Sequence, residues 1–291
     1  MSKKICLGTA MWGWSVNKNT AFQFLDMFYS NDGRHLDTAF NYPMNGVESD
    51  LLHAVKIISE WTRVNNIDDL KVIFKYGSLD NKKSPDSDLG ILNTQDMFDI
   101  ANEYLGSNLY SLMIHWDNRT DIHSIDETVR CLDILGRNHS FNVGLSGIKE
   151  VDCYHDILTK LKVECVDHEI KNAFNSVGHI PFNLSVLPDY RLWAYGISGS
   201  GLKLEEKDYR VDSYVKLVRS DDFHRERFSD EDKTAIKSYI ESSDVVSNLY
   251  EYSMLIKELD HNFYGYIVSP SRVSQLEQII SFREKLGKTL R

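Results

Sequence analysis

Short apolar runs alternating with longer amphipathic stretches constrain this chain more than any other feature. Runs compatible with β-strands lie at about 5–10, 35–40, 71–76, 109–116, 142–147, 163–168, 191–197 and 265–269. Between most of them apolar residues recur at helical spacing, as in Ala21, Phe22, Phe24, Leu25 and Phe28, in Leu51, Leu52, Val55 and Ile58, and in Leu276, Ile279, Ile280 and Phe282. A strand followed by an amphipathic helix leads to a parallel neighbour, so the pattern predicts a parallel sheet with crossover helices. A closed barrel and an open doubly wound sheet share that local signature. The first strand is not followed by a G-x-G-x-x-G turn, the usual mark of the open dinucleotide-binding sheet. Eight strand–helix units fit the 291 residues with no linker, fixed-period repeat or low-complexity tract. The sequence therefore predicts a single (β/α)₈ TIM barrel spanning residues 1–291. The longest irregular stretch, 199–228, reads either as a lid or as a surface insertion.

Charge and cysteine content narrow the surroundings. A formal net charge of −10 gives no global attraction for phosphate backbones or anionic membranes, so neither nucleic acid nor membrane is expected as a partner. Cys6, Cys131, Cys153 and Cys165 form no C-x-x-C pair, which suits a reducing cytoplasm. The apolar stretch from Ile5 to Trp14 is broken by Gly8, Thr9 and Gly13 and carries no cleavage signature, so no targeting segment is expected. No apolar run approaches the length of a membrane span. A monomer or weak oligomer is expected.

Ionisable residues gather where the predicted strands end. In His35-Leu36-Asp37-Thr38-Ala39, alternation places Asp37 on one face with His35 and Ala39. Lys75 ends the apolar run Val72-Ile73-Phe74, and His115 ends Leu112-Met113-Ile114. An unpaired buried charge is costly, so such strand ends require a reason. In a barrel all three meet at the C-terminal rim, where barrel enzymes carry their chemistry, and Tyr42 lies in the loop entering that rim. Each also has a plain structural reading: Asp37 as a turn cap, Lys75 as a solvated strand end, Tyr42 as loop packing, His115 as a satisfied core histidine.

Taken together, the segments resemble the aldo-keto reductases. Asp37-Thr38-Ala39-Phe40-Asn41-Tyr42 resembles their D-T-A-x-x-Y segment, and Leu7-Gly8-Thr9-Ala10-Met11-Trp12-Gly13 their first strand. Phe74-Lys75-Tyr76-Gly77 is similar to the segment with the active-site lysine, Leu112-Met113-Ile114-His115-Trp116 to the L-x-x-H strand, and Val143-Gly144-Leu145-Ser146 to the G-x-S-N strand end. The matches occur in family order along almost the whole chain. The resemblance implies a (β/α)₈ barrel, NADPH as hydride donor and a catalytic tetrad of Asp37, Tyr42, Lys75 and His115. In that reading Tyr42 donates a proton to a carbonyl oxygen that His115 polarises, while Lys75, held by Asp37, lowers the phenol pKa.

The resemblance also implies a cofactor site. It draws on Gly8, Thr9 and Asp37, on Ser146 for the nicotinamide carboxamide, and on Tyr195, Gly196, Ser198 and Gly201 after the seventh strand. Tyr195 is either a neighbour of the nicotinamide ring or plain barrel packing. Ser269, Ser271, Arg272 and Gln275, at the last strand and the start of the last helix, are expected to hold the 2′-phosphate, since a helix N-terminus with a nearby cation is an anion site. Arg272 also reads as an ordinary exposed side chain. Departures from the family pattern are Gly147 where it has Asn, and Ile197 where it has Pro. The family's sixth-strand Gln has no clear counterpart around Asp167 and His168.

A small-molecule carbonyl compound is the expected substrate, contacted by Trp12, Tyr42, His115 and Trp116. Trp14, Phe40 and Tyr76 are candidates for the same aromatic wall. The short stretch after the last helix suggests a pocket open on one side, suited to a bulky or polar carbonyl such as a sugar derivative. Two rivals share the fold. One is a non-catalytic NADPH-binding regulatory subunit. The other is a metal-dependent hydrolase using His115 and Asp117, for which no H-x-H, H-E-x-x-H or third ligand is present, so no metal is expected.

Overall fold

Eight parallel strands pair in chain order, and the last pairs with the first, so the sheet closes into a barrel. The computed structural model describes residues 3–82, 84–173, 189–205 and 229–289. The strands are β1 (Lys4–Gly8), β2 (His35–Ala39), β3 (Lys71–Tyr76), β4 (Leu109–His115), β5 (Asn142–Ser146), β6 (Cys165–Lys171), β7 (Asp189–Tyr195) and β8 (Phe263–Val268). The helices are α1 (Lys18–Ser30), α2 (His53–Asn65), α3 (Ile91–Leu105), α4 (Ile122–His139), α5 (Val151–Leu161), α6 (Asp230–Ser242), α7 (Leu249–Leu259) and α8 (Val273–Thr289). This is the expected (β/α)₈ barrel, and its closure excludes the open sheet. Among the described residues no helix is long and apolar enough to cross a membrane. Of the irregular stretch 199–228, residues 206–228 lie outside the described residues.

Alternation along each strand sorts the side chains into two layers. Leu7, Leu36, Val72, Phe74, Leu112, Ile114, Val143 and Leu145 face outward into the main core, where they meet Phe24, Leu25, Val55, Ile58, Phe98, Val129 and Leu276 from the helices. The helices start cleanly because polar side chains satisfy their first N–H groups. Asn17 Oδ1 accepts from Thr20 N at 2.9 Å at the start of α1, and Ser229 and Asp232 form a reciprocal capping box on α6.

The barrel interior is filled rather than hollow. An apolar group of Cys6, Ile73, Met113, Trp193 and Ile267 occupies its middle. Toward the N-terminal end, Arg191 pairs with buried Asp167 at 2.9 Å, and its guanidinium lies 5.1 Å from the Tyr110 ring centre and 5.4 Å from that of Tyr264. Trp193 Nε1 donates to Asp167 at 2.8 Å, so both carboxylate oxygens are engaged. His35 packs edge-on against Tyr110, and burial holds its pKa down at about 3. It is a neutral core histidine in the floor of the barrel.

Closure at the β1–β8 seam depends on Gly265. A Cβ there would lie 2.4 Å from the Lys4 carbonyl oxygen and 2.5 Å from Trp193 Cζ3. The carbonyl belongs to the paired strand and cannot yield without parting the ladder. Gly265→Ala is expected to destabilise the fold by about 1–3 kcal/mol, the usual cost of overpacking a filled interior. Urea unfolding of the variant beside the wild type measures this, and an unchanged midpoint would show that the seam has slack.

Candidate active site

The rim at the C-terminal ends of the strands collects the ionisable residues singled out in the sequence. Register brings them together: Ala39 pairs with Lys75, Lys75 with Met113, His115 with Ser146, and Ser146 with Glu169. Asp37, Lys75, Ser146 and Glu169 face inward just above the apolar middle of the barrel. The Lys75 ammonium, 2% exposed, is hydrogen-bonded to Asp37 Oδ1 and lies 3.1 Å from Glu169 Oε2. Ser146 Oγ donates to Glu169 Oε2 at 3.1 Å. Thr9 fixes the backbone at Asp37, donating to its carbonyl from both N, at 3.0 Å, and Oγ1, at 2.9 Å.

Tyr42 sits above this cluster on the β2–α2 connection. Its ring centre is 5.3 Å from Lys75 Nζ and 6.3 Å from the His115 ring, which it meets edge-on. The connection is pinned from the next loop by buried Asn81, whose side-chain amide donates to Pro43 O at 3.0 Å and Val47 O at 2.8 Å. The tetrad residues Asp37, Tyr42, Lys75 and His115 are thus assembled at one end of the barrel.

Electrostatics differ from the sequence-based expectation in one respect. Lys75 was expected to lower the Tyr42 pKa. It does pull in that direction, but burial pushes the phenol up, and Asp37 and Glu169 add to the rise, so the net shift is upward. Burial is the largest of these effects, and the two carboxylates beside Lys75 offset part of its pull. Burial tends to discharge Lys75, but Asp37 and Glu169 outweigh it and hold the ammonium well above the ordinary lysine range. His115 is held neutral by burial, reinforced by the Lys75 charge, and its Nδ1 is buried without a hydrogen-bond partner.

Glu169 is the residue missed in the sequence. The predicted sixth strand stopped at about residue 168, whereas β6 runs from Cys165 to Lys171. Neither Asp167 nor His168 reaches the rim. Asp167 lies one layer lower on Arg191, and His168 bonds the Tyr190 hydroxyl. The available signal was the i, i+2 pair of acids, which a strand places on one face.

The aromatic candidates separate. Trp116 is 47% exposed, beside His115 with ring centres 5.7 Å apart. Its indole lies over Gly147, where a Cβ would stand 2.9 Å from Trp116 Cε3, and Gly147 adopts φ +66. The family's Asn has no room there. Trp12, by contrast, is 1% exposed and packs against Phe24 of α1, which makes it a core side chain. Tyr76 points outward, its hydroxyl 3.0 Å from Thr94 Oγ1 on α3, and does not line the mouth. Phe40 and Trp14 are partly buried. Asp117, the second residue of the hydrolase reading, is engaged by Arg119 at 2.8 Å and by the Tyr154 hydroxyl, so its carboxylate is already committed.

The remaining candidates lie around the same rim. A Cβ on Gly8 would stand 2.5 Å from Ser269 Oγ, so the ends of β1 and β8 approach closely there. Tyr195 packs against the barrel interior. After it the backbone turns through positive φ at Gly196, Gly199, Ser200 and Gly201, with Ser198 within the turn. At the start of α8, Gln275 Oε1 accepts from Ser271 N at 2.8 Å and from Ser271 Oγ at 3.1 Å, and Arg272 is exposed. The glycine-rich turn follows β7 and the start of α8 follows β8, so both continue from the strand ends that carry the tetrad.

The model of the aldo/keto reductase family matches residues 4–207. The chain belongs to the aldo/keto reductase family. Membership supports a carbonyl-reducing oxidoreductase in general, in a family that uses NAD(P)H. No curated protein gives a significant match.

Glu169 leaves a thermodynamic trace. Burial and the nearby Asp37 carboxylate raise its pKa from 4.5 to about 8, against the pull of Lys75. An acid whose pKa is raised on folding keeps its proton in the native state after the unfolded chain has lost it. Stability is therefore expected to fall as pH rises from 4.5 to about 8, and to level off above. Glu169→Gln has no such proton to lose, so its melting temperature should decline less over that window. Parallel curves for the two proteins would contradict the assignment.

Proposed function

We propose that the chain is an NADPH-dependent carbonyl reductase in which Tyr42 is the general acid. The observation that carries this reading is the meeting of Tyr42, Lys75, Asp37 and His115 at one rim, with the phenol protonated and the imidazole neutral. Reducing a carbonyl requires hydride at carbon and a proton at oxygen. The bound cofactor supplies the hydride.

The protein supplies the rest. Neutral His115 can donate a hydrogen bond to the substrate oxygen without carrying charge, polarising the carbonyl and orienting it. Tyr42 keeps its proton until negative charge develops on that oxygen, then transfers it to form the alcohol. Lys75, pinned by its two carboxylates, stabilises the phenolate that Tyr42 becomes, and solvent then restores the proton. Exposed Trp116 offers the substrate a wall next to His115. Ser146, the Gly196–Gly201 turn, and Ser269, Ser271 and Arg272 would hold the cofactor against this group, with Arg272 on the 2′-phosphate. The substrate is a small-molecule aldehyde or ketone, a bulky or polar one such as a sugar derivative being the class expected from the sequence.

Tyr42→Phe keeps the ring and removes the proton. Single-turnover oxidation of NADPH with a saturating aldehyde is expected to slow by about 10²–10⁴-fold, the usual contribution of general acid catalysis. Near-normal turnover would remove Tyr42 from the role. Tight NADPH binding by the wild type with none consumed over a range of aldehydes and ketones would instead favour a non-catalytic NADPH-binding subunit.

Arg272→Ala tests the cofactor end. It is expected to weaken NADPH by about 1.5–3 kcal/mol, the value of a charge-assisted hydrogen bond, and to leave NADH nearly unchanged. Equal losses for both, measured by fluorescence titration, would place the 2′-phosphate elsewhere.

A further inference from the structure

Three buried charges meet beneath the rim, and they do not balance. Lys75 brings one ammonium, while Asp37 and Glu169 bring two carboxylates. With both acids ionised the cluster carries a net negative charge in a site closed from water, an expensive state. One proton on a carboxylate makes it neutral.

The position of that proton follows from the surroundings. From β2, Asp37 is hydrogen-bonded to the lysine; from β3, Lys75 approaches Glu169 Oε2 at 3.1 Å; from β5, Ser146 Oγ lies 3.1 Å from the same oxygen. Cys6 on β1 and Tyr42 on the loop after β2 are pushed up by burial, and His115 at the end of β4 is held neutral. Asp167, one layer down the same strand, is paired with Arg191. Among the described residues around it, Glu169 is therefore the group left to exchange a proton near neutral pH, and burial together with Asp37 sets its pKa at about 8.

We infer that Glu169 sets the preference of this site between the oxidised and reduced forms of its cofactor, its carboxyl group holding a proton that a cationic nicotinamide ring displaces. The inference rests on the cofactor reading above. Glu169 is one hydrogen bond from Ser146, the residue assigned there to the nicotinamide. A cation brought to the cluster favours the ionised acid and releases its proton. The uncharged reduced ring adds only burial, which favours the protonated form. By linkage, loss of the proton strengthens binding of the oxidised form to the same extent that this form acidifies Glu169. Glu169 is here a specificity-determining residue and takes no part in proton transfer to substrate.

The test is calorimetric titration of wild-type protein with NADP⁺ and with NADPH near neutral pH, in two buffers of different ionisation enthalpy. It counts protons released and needs no turnover. Release with NADP⁺ is expected to exceed that with NADPH by up to about one proton, the 2′-phosphate contributing alike to both. Dissociation constants from about pH 6 to about pH 9 should then show the NADPH-to-NADP⁺ ratio of Kd rising up to about tenfold per pH unit and flattening above about pH 8. The 2′-phosphate titrates in both forms and cancels in the ratio. In Glu169→Gln the ratio should be flat and NADPH affinity close to wild type, which also reports that the variant is folded. Equal proton release for both forms, a flat wild-type ratio, or an unaltered slope in Glu169→Gln overturns the inference while leaving the cofactor reading intact. Failure of wild-type protein to bind either form overturns both. If Glu169→Gln does not fold, the wild-type proton count decides alone.

Discussion

The Lys75 ammonium, buried between Asp37 and Glu169, is the interaction on which the rest of the site depends. Moving charges out of water costs several kcal/mol per ion, and only close, well-directed partners offset it. The barrel provides those partners from β2 and β6, each turning one acid inward toward Lys75 of β3. No single segment of the chain could do this, since Asp37 and Glu169 are far apart in sequence and meet only because the sheet closes. The charge is thus both a product of closure and a constraint on it.

Everything above the cluster takes its protonation state from it and from burial. Burial outweighs a lysine partly offset by two acids, so Tyr42 behaves as a buried tyrosine and keeps its proton. His115 is buried beside the Lys75 charge and stays neutral. A second ion pair, Asp167 with Arg191, sits at the far end of the same interior, separated by the apolar layer of Cys6, Ile73, Met113, Trp193 and Ile267. The two charged layers do different work. One closes the floor between Tyr110 and Tyr264, while the other faces the mouth.

The strand pattern was legible because period-two alternation and short apolar runs are local properties of the chain, and all eight runs became strands. The residues at Asp37, Lys75 and His115 were legible because charge at the end of an apolar strand is conspicuous. Glu169 was not, because strand ends are the least local feature of a sheet: β6 outran its apolar run and carried one more inward position past residue 168. The aromatic residues were misread for a related reason. Tyr76 and Lys75 are neighbours in sequence but point to opposite sides of β3, so proximity to a motif residue says little about which layer a ring enters. Trp12 follows the first strand, in a turn that folds back under α1, where its ring is buried against Phe24. No periodicity encodes that turn.

The contact between Trp116 and Gly147 bears on how this mouth can change over generations. Trp116 occupies the space that a side chain at position 147 would need, and Gly147 holds a backbone conformation that most residues adopt only under strain. The two positions are therefore not independent variables. A larger residue at 147 is tolerated only after the indole has been replaced, whereas shrinking Trp116 first costs little in packing at an exposed rim, though it removes the wall proposed for the substrate. Changes here have a permitted order, and their effects should combine non-additively. A lineage that acquires the tryptophan is held to glycine at 147 until it gives the tryptophan up.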